Sequence, residues 1–480
     1  MVVLVLLALA LFWSPATAPP EEAIDSIAVL PFENVSGDPD AEYLSDGITE
    51  SLINSLSKLS DLRVVPRGMV FPYKAREINI QTVGEELKVR AVVTGRVSQR
   101  GDTLIISTEL TDVAHLSQLW GEQYNRSVSD ILTVQEDIAK EISRNLRLEL
   151  TGEEEELLTE HTTENSEAYQ LYLQGLYFLN KSTEEGYRRA LDYYQQSVEK
   201  DPGYALGWAG IGRAYTLLVF DSYLSPTEGY PKAEEAVLKA LEIDDSLSEA
   251  HGVLGTIKHH EWDWSGAERE DQLALRLDPN SSQAHYLYGV RLNAAGRHEE
   301  AVAETRRALE LDPLSLRTNT QLGSTLMSSG QTDAAIEQLQ KTLELDSNNA
   351  TAYNYLGMAY LAKGLYEEAL SSVQMAITLQ DNPGPSMELA WVYAQSGRER
   401  EARHILETAQ PLADQGEYPA RLIAYIHAAL DEKDEAFAWF EKAIEEHDRR
   451  VVHLQTVRRL DPLHDDPRWN DLLLRMNFEP

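Results

Sequence analysis

The feature that most constrains this 480-residue chain is a 34-residue repeat. Asp244-Asp245, Asp278-Pro279, Asp312-Pro313 and Asp346-Ser347 follow one another at that interval, and Gln380-Asp381 falls one interval further on. Asp201-Pro202 precedes them by the same interval plus a nine-residue insert around 223–229. Small residues keep pace. Gly255, Gly289, Gly323 and Gly357 share one offset, and Ala267, Ala301, Ala335 and Ala369 lie twelve positions later. Ala274, Ala308, Thr342 and Ala376 hold a third small position, and Gly296, Gly330, Gly364 and Gly397 punctuate the middle. The pattern predicts two antiparallel helices per unit, with small side chains where the axes approach. Leu254, Leu322, Leu356, Tyr360, Trp208 and Tyr215 fill the gaps beside them. The central glycine turns the chain, and the Asp-Pro pair stops the second helix. One such pair cannot offset an ordering cost of roughly 50 kcal/mol, at about 1.5 per residue, so the units must stack. About seven units are expected over 166–450, with weaker ones at 166–202 and 385–447. Residues 451–480 read as a cap, in which Trp469, Leu472, Leu473 and Phe478 cover the last open face.

Residues 24–150 carry different periods and predict one α/β domain. SIAVLPF is a short buried-strand run, and AEYLSDGITESLINSLSKL spaces Leu44, Ile48, Leu52 and Leu56 as a helix does. DLRVVPR reads as a second strand and INIQTVGEELKV as a second helix, with Gly84 as its weak point. VRAVVTGRVSQ and TLIISTELTD alternate with period two around Arg100-Gly101-Asp102, a hairpin turn, and SQLWGEQYNR is a further strand. SVSDILTVQEDIAKEISRNLRLEL closes the domain as an amphipathic helix, with Ser129 or Asp130 as its N-cap. Residues 151–165, with Glu153–Glu156 in a row, form an acidic linker.

Charge and composition narrow the function. There are 79 acids against 42 bases, a formal charge of −37, so no nucleic-acid partner is expected. There is no cysteine, which removes disulfides, thiolate metal sites and a cysteine nucleophile. Residues 1–23 hold an apolar run, VVLVLLALALFW, followed by a Pro-rich linker. Twelve residues are too few for a full span of roughly 20. A membrane-anchor remnant, a cleaved signal with Ala16-Thr17-Ala18 at its cut, and a buried helix are the open readings. The first two place the bulk of the chain on the periplasmic or extracytoplasmic side of a membrane.

The 34-residue pattern resembles tetratricopeptide repeats. Residues 26–150 resemble the TolB amino-terminal-like domain, related to the FlgO family, through IAVLPFENVSGDPDAEYLSDGITESL, LRVVPR, VTGRVSQRGDTLIISTELTD and LWGEQYNRSVSDILTVQEDIAKEI. The fold class is therefore an α/β amino-terminal domain followed by an all-α tetratricopeptide solenoid. In bacterial relatives this pairing lies beyond a transmembrane helix and a kinase, cyclase or winged-helix output module. The resemblance implies a sensory or scaffolding half whose output module is absent from this chain.

Catalytic chemistry is hard to assemble. ENVSGDPDAEYLSDG has neither GxxxxGK[ST] nor GxGxxG, and its acids would repel phosphate. Asn34, Ser36 and Asp38 are expected to satisfy loop backbone groups and Asp40 to cap the helix. Asp38, Asp40 and Asp46 cupping a cation is the weaker alternative. His251, His259, His260 and Glu261 cluster in sequence, but His259 and His260 point about 100° apart on a helix. Trp262 and Trp264 are expected to pack where that unit's first helix ends. No catalytic, cofactor or metal residues are assigned. In tetratricopeptide units the first helix of each pair lines the concave face. Alignment of the repeats puts Arg213, Thr256, His259, Tyr286, Val290, Asn293, Thr320, Ser324, Met327, Asn354, Met358 and Leu361 there. Hydroxyls and amides suit a peptide backbone, and Tyr, Met and Val suit apolar side chains. The expected function is a non-enzymatic scaffold, linked to a membrane through the apolar segment, that binds a protein or peptide of unknown identity.

Overall fold

Period-two and period-3.6 segments become strands and helices in the order expected. The computed structural model describes residues 24–478, apart from 39–40, 60, 75, 77, 147, 149, 153, 155–162, 222, 381–383, 449 and 458–459. The apolar run 2–13, Asp40, Asp381 and most of the acidic linker lie outside the described residues.

The amino-terminal domain is built on a sheet ordered β3-β1-β4-β5-β6. β1 (Ser26–Val29) is wholly buried and pairs in parallel with β3 (Arg63–Val64) and with β4 (Ala91–Arg100). The short β2 (Glu33–Asn34) also pairs in parallel with β4. α1 (Glu42–Ser57) makes the crossover between β1 and β3. A parallel sheet carries helices on its faces, which is why β1 reads as an unbroken apolar run. β4 turns into β5 (Thr103–Asp112) over Gly101, whose φ of +60° suits a tight hairpin, and β5 pairs antiparallel with β6 (Ser117–Ser127). After α2 (Arg67–Val70), Asn79 caps α3 (Ile80–Leu87), its Oδ1 accepting from Thr82 N at 3.1 Å. A Cβ on Gly84 would come within 2.2 Å of Val113, so the suspected weak point is a close helix contact. α4 (Ile131–Asn145) follows a 3₁₀ turn over Val128–Asp130. Asp130 stands at the N-cap position of α4, as one of the two expected residues, but its side chain makes no cap bond to that helix. The capping side chain is Ser127, which caps the preceding 3₁₀ turn by accepting from Ser129 N at 3.3 Å.

Eight helix pairs follow among the described residues, one more than the spacing suggests. They are α5 (Ser166–Leu179) with α6 (Glu184–Lys200), and α7 (Ala205–Phe220) with α8 (Pro226–Ile243). Next come α9 (Ser248–His260) with α10 (Trp264–Leu277), α11 (Ser282–Ala294) with α12 (His298–Leu311), and α13 (Leu316–Ser328) with α14 (Thr332–Leu345). The last three are α15 (Ala350–Ala362) with α16 (Tyr366–Thr378), α17 (Met387–Gln395) with α18 (Glu399–Asp414), and α19 (Ala420–Ala429) with α20 (Lys433–Glu445). Asp201, Asp244, Asp278, Asp312 and Asp346 are all C-caps of second helices. Gly296, Gly330, Gly364 and Gly397 turn with φ of +77°, +79°, +73° and +78°. The nine-residue insert lengthens α7 and α8 to 16 and 18 residues, against 13 and 14 in α9 and α10.

Two contacts set the overall arrangement, and no repeat position announces them. The first joins the domains. A Cβ on Gly47 would lie 2.9 Å from Leu173, and Tyr169 and Leu173 share one apolar core with α1, α4 and the sheet. The Tyr169 hydroxyl donates to Gln135 Oε1 at 2.5 Å, and Asn180 Nδ2 donates to Glu50 Oε2 at 3.0 Å. The second contact closes the array. After a 3₁₀ turn (Val451–Thr456), α21 (Asp461–His464) and α22 (Pro467–Arg475) cap the last pair, with Trp469, Leu472 and Leu473 in one core with Phe437 and Phe440. The same segment reaches back to the third pair, where Phe478 stacks on Trp264 at 4.2 Å. Trp264 packs on His259 at the end of its own unit's first helix, as expected, but Trp262 and Trp264 also make contacts far outside that unit. Their distant partners are His447, Met476 and Phe478, because the array curves far enough to bring its end back to α10.

Candidate functional site: the concave groove

The side chains on the inner helices converge on one cavity of about 2500 Å³. All twelve residues expected on the concave face line it. They do not offer equal chemistry. Arg213 is held by Glu249 at 2.8 Å, and that carboxylate, ahead of the opposing effect of burial, raises the guanidinium's affinity for its proton. The Tyr286 hydroxyl accepts from Arg317 Nε at 2.9 Å, and the same guanidinium covers the Tyr286 and Phe220 rings. Asn293 bonds Ser328 and His298, Thr256 accepts from Arg291, and Thr320 donates to the Leu316 carbonyl within its helix. These side chains hold the inner wall together. The less committed face is made by Val290, Ser324, Met327, Asn354, Met358 and Leu361, and the buried Asn354 Oδ1 has no hydrogen-bond partner. An unsatisfied amide oxygen among methionine, valine and leucine side chains suits a backbone N–H donor beside an apolar side chain.

Two further walls come from outside the central repeats, one from the amino-terminal domain and one from the last pair with the segment that follows it. Glu50, Lys58, Arg67 and Gly68 of the amino-terminal domain line one side, and Arg421, Tyr425, His453 and Val457 line another. No local signal in the sequence marks them. Burial pushes the Glu50 carboxyl up, against Arg67 and Arg213, which pull it down. The lining holds ten Lys and Arg against eleven Asp and Glu. The charge excess of the chain therefore lies elsewhere, and the groove is close to neutral. That favours recognition by hydrogen bonds and apolar contact over long-range attraction.

The other candidates resolve into structure. In the opening loop Asn34 Nδ2 donates to the Asp38 carbonyl at 2.8 Å, Ser36 N to Asn34 Oδ1 at 3.1 Å, and Asp38 N to Ser36 Oγ at 3.3 Å. The ammonium of Lys74 bridges Glu42 and Asp46, which supplies the charge a cation would bring. His251 uses both ring nitrogens, Nδ1 with Glu270 at 2.6 Å and Nε2 with the Asp245 carbonyl at 2.9 Å. His285 repeats that bridge one unit later, to Glu304 and the Pro279 carbonyl. The histidine at this position ties a first helix to its partner helix and to the preceding turn. Among the described residues no group of three His, Cys, Asp or Glu is placed to hold a metal ion, and no helix is long and apolar enough to cross a membrane.

Tetratricopeptide-repeat models match residues 264–315, 323–364 and 422–446. Over residues 22–141 the match is to the HilA/YgeH-like transcriptional regulator, second domain, rather than to the TolB amino-terminal-like family whose motifs the region resembles. The chain is 33% identical over 262 residues to a putative adenylate cyclase 3 of Rhizobium meliloti (strain 1021), an overlap of 50% of this chain and 43% of that protein. It thus spans less than half the length of that relative. Among solved structures, YrrB, a tetratricopeptide protein with an unusual peptide-binding site, covers 39% of this chain and 93% of its own at 24% identity and a TM-score of 0.30. The pilF protein of Pseudomonas aeruginosa covers 48% and 98% at 22% identity and a TM-score of 0.36.

Proposed function

We propose that this chain is a non-enzymatic interaction protein whose concave groove holds an extended peptide or protein segment. The observation that carries the reading is the convergence of Asn354, Ser324, Met327, Val290, Met358 and Leu361 on one near-neutral cavity. Tyr286 is a poor probe of it, since it is buried and carries Arg317. A photo-crosslinker at Ser324 should trap a partner in the native host, whereas one at the exposed Leu238 should not. Ser324→Arg with Asn354→Ala should lower capture at least tenfold and leave Tm within a few degrees. Equal trapping at both positions, or capture indifferent to the double variant, would remove the groove from the function.

A second reading is supported by two sequence matches, to the regulator domain and to the putative cyclase. In it the chain is the regulatory part of a signalling protein whose output domain lies elsewhere, and the TolB-like resemblance of residues 26–150 points the same way. The apolar run 2–13 supports a membrane link, with the bulk of the chain on the far side from the cytoplasm. Protease accessibility in intact spheroplasts tests that placement, and full protection there would exclude it.

A further inference from the structure

We infer that the array is a clasped ring, in which Trp262 and Trp264 grip the segment 447–478, and that proton uptake at His259 and His453 opens the clasp and so admits a partner to the groove. The consequence for binding rests on the groove reading above. The clasp itself rests on contacts between residues 185 to 215 positions apart.

Trp264 stacks on Phe478 with ring centroids 4.2 Å apart and planes 16° apart, and its Nε1 donates to the Met476 carbonyl at 2.9 Å. Trp262 stacks on His447 at 5.1 Å and 4°, and its carbonyl accepts from Asn477 Nδ2 at 3.4 Å. Trp262 occupies the turn position that Gly296, Gly330 and Gly364 hold in the next three pairs, and it adopts φ of +62° there. A bulky side chain disfavours that conformation and persists in it only where contacts over-determine it. His447 and Asn477, on the opposite side of the contact, also have positive φ. Three of the seven such non-glycine residues among those described therefore meet at one place.

The histidines sit against this contact. His259 is 5% exposed, its ring lies 5.1 Å edge-on to Trp264 and 6.3 Å from His453, and its Nδ1 has no partner. His260 on its own helix, Arg291 on α11 and His453 on the closing segment are the titratable and charged groups that face it. His453 is faced by Arg450, by Arg421 of α19 and by Asp448, whose carboxylate is already bonded to Arg421 at 3.1 Å. A proton on His259 meets cations and neutral rings, and one on His453 meets two guanidiniums against the single, already paired carboxylate of Asp448. Burial, reinforced by His260, Arg291 and His453, drives His259 well below its ordinary value, and burial with Arg450 and Arg421 pushes His453 down to about 4. An open clasp returns both rings to water and to an ordinary value of about 6.5. The open form then binds more protons below that pH, so closure is full above it and is lost as the pH falls. His453 alone shifts the balance roughly 30-fold toward the open form between pH 7.5 and pH 5.

The chain has no cysteine, so Ser265→Cys and Asn470→Cys place two spin labels on either side of the clasp without background. Pulsed dipolar spectroscopy on the full chain should give one short distance at pH 7.5 and a longer, broader distribution at pH 5. Circular dichroism checks that helix content is kept. Trp264→Ala should give the long distribution at both pH values, and His259→Phe with His453→Phe the short one at both. A long distance at pH 7.5, no change on acidification, or opening of the histidine variant to the wild-type extent would overturn the clasp. No partner enters this measurement, so its failure is separable from failure of the Ser324 crosslink.

Discussion

Gly323→Leu should unravel the centre of the array. A Cβ on Gly323 would lie 2.6 Å from both Cγ and Cδ2 of Leu339, so α13 and α14 touch through the missing side chain. Leu339 is fully buried and shares a core with Ala352 and Leu356 of the next pair, which leaves it nowhere to retreat. Overpacking of this kind costs about 3 kcal/mol or more, which lowers Tm by roughly 10 °C. Gly252→Ala provides the opposite sign in the same array. The nearest heavy atom to its added Cβ is Leu287 Cδ1 at 3.7 Å, an ordinary contact, so only the helix preference changes. That variant should gain about 0.5–1 kcal/mol. Thermal and urea unfolding, followed by circular dichroism, check both. A wild-type midpoint for Gly323→Leu would mean that the fifth pair does not close as described.

Asp271→Ala should be nearly as damaging. Asp271 and Arg291 form a bidentate ion pair at 2% and 8% side-chain exposure. The position of Asp271 is filled by Thr305, Leu339 and Val373 in later pairs, and that of Arg291 by Ile257, Thr325 and Ala359 in its neighbours. The pair is thus an ionic substitute for a contact that other units make without charge. Removing the carboxylate leaves a buried guanidinium uncompensated, at a cost of about 3–5 kcal/mol. Asp271→Leu with Arg291→Ile restores the apolar version and should be neutral, or stabilising by about 1–4 kcal/mol. If the double variant is as unstable as the single one, the pair does more than fill space. The site touches His259 through Arg291, so the double variant also asks whether the clasp needs that cation nearby.

Much of the architecture was legible because a solenoid repeats its own instructions. The C-cap aspartates, the turn glycines and the paired small positions each follow from contacts made within one unit or between adjacent ones. The sheet was legible in part for a similar reason: β5 alternates with period two because one face is buried. β4, expected to alternate as well, opens on Ala91, Val92 and Val93, all buried, because the parallel strands beside it are covered on both faces. The twelve concave residues could be named because each inner helix presents the same face. Which of them are spent on internal bonds could not. The Arg317–Tyr286 and Arg291–Thr256 contacts depend on which side chains happen to meet across units, and the 34-residue period carries no trace of that. The count fell short by one because the last pair carries neither signal: Asp431, not a glycine, stands at its turn, and Glu446, with no Asp-Pro, ends α20.

The sequence by itself determined that helix pairs form, where each ends and which face turns inward, since those outcomes depend on neighbours a few residues or one unit away. Only the tertiary structure decided where Trp262 and Trp264 go, how α1 seats on α5, and that the groove has walls at all on its outer sides. Those contacts depend on curvature, which accumulates from small rotations at every interface along the array. No single residue encodes that sum.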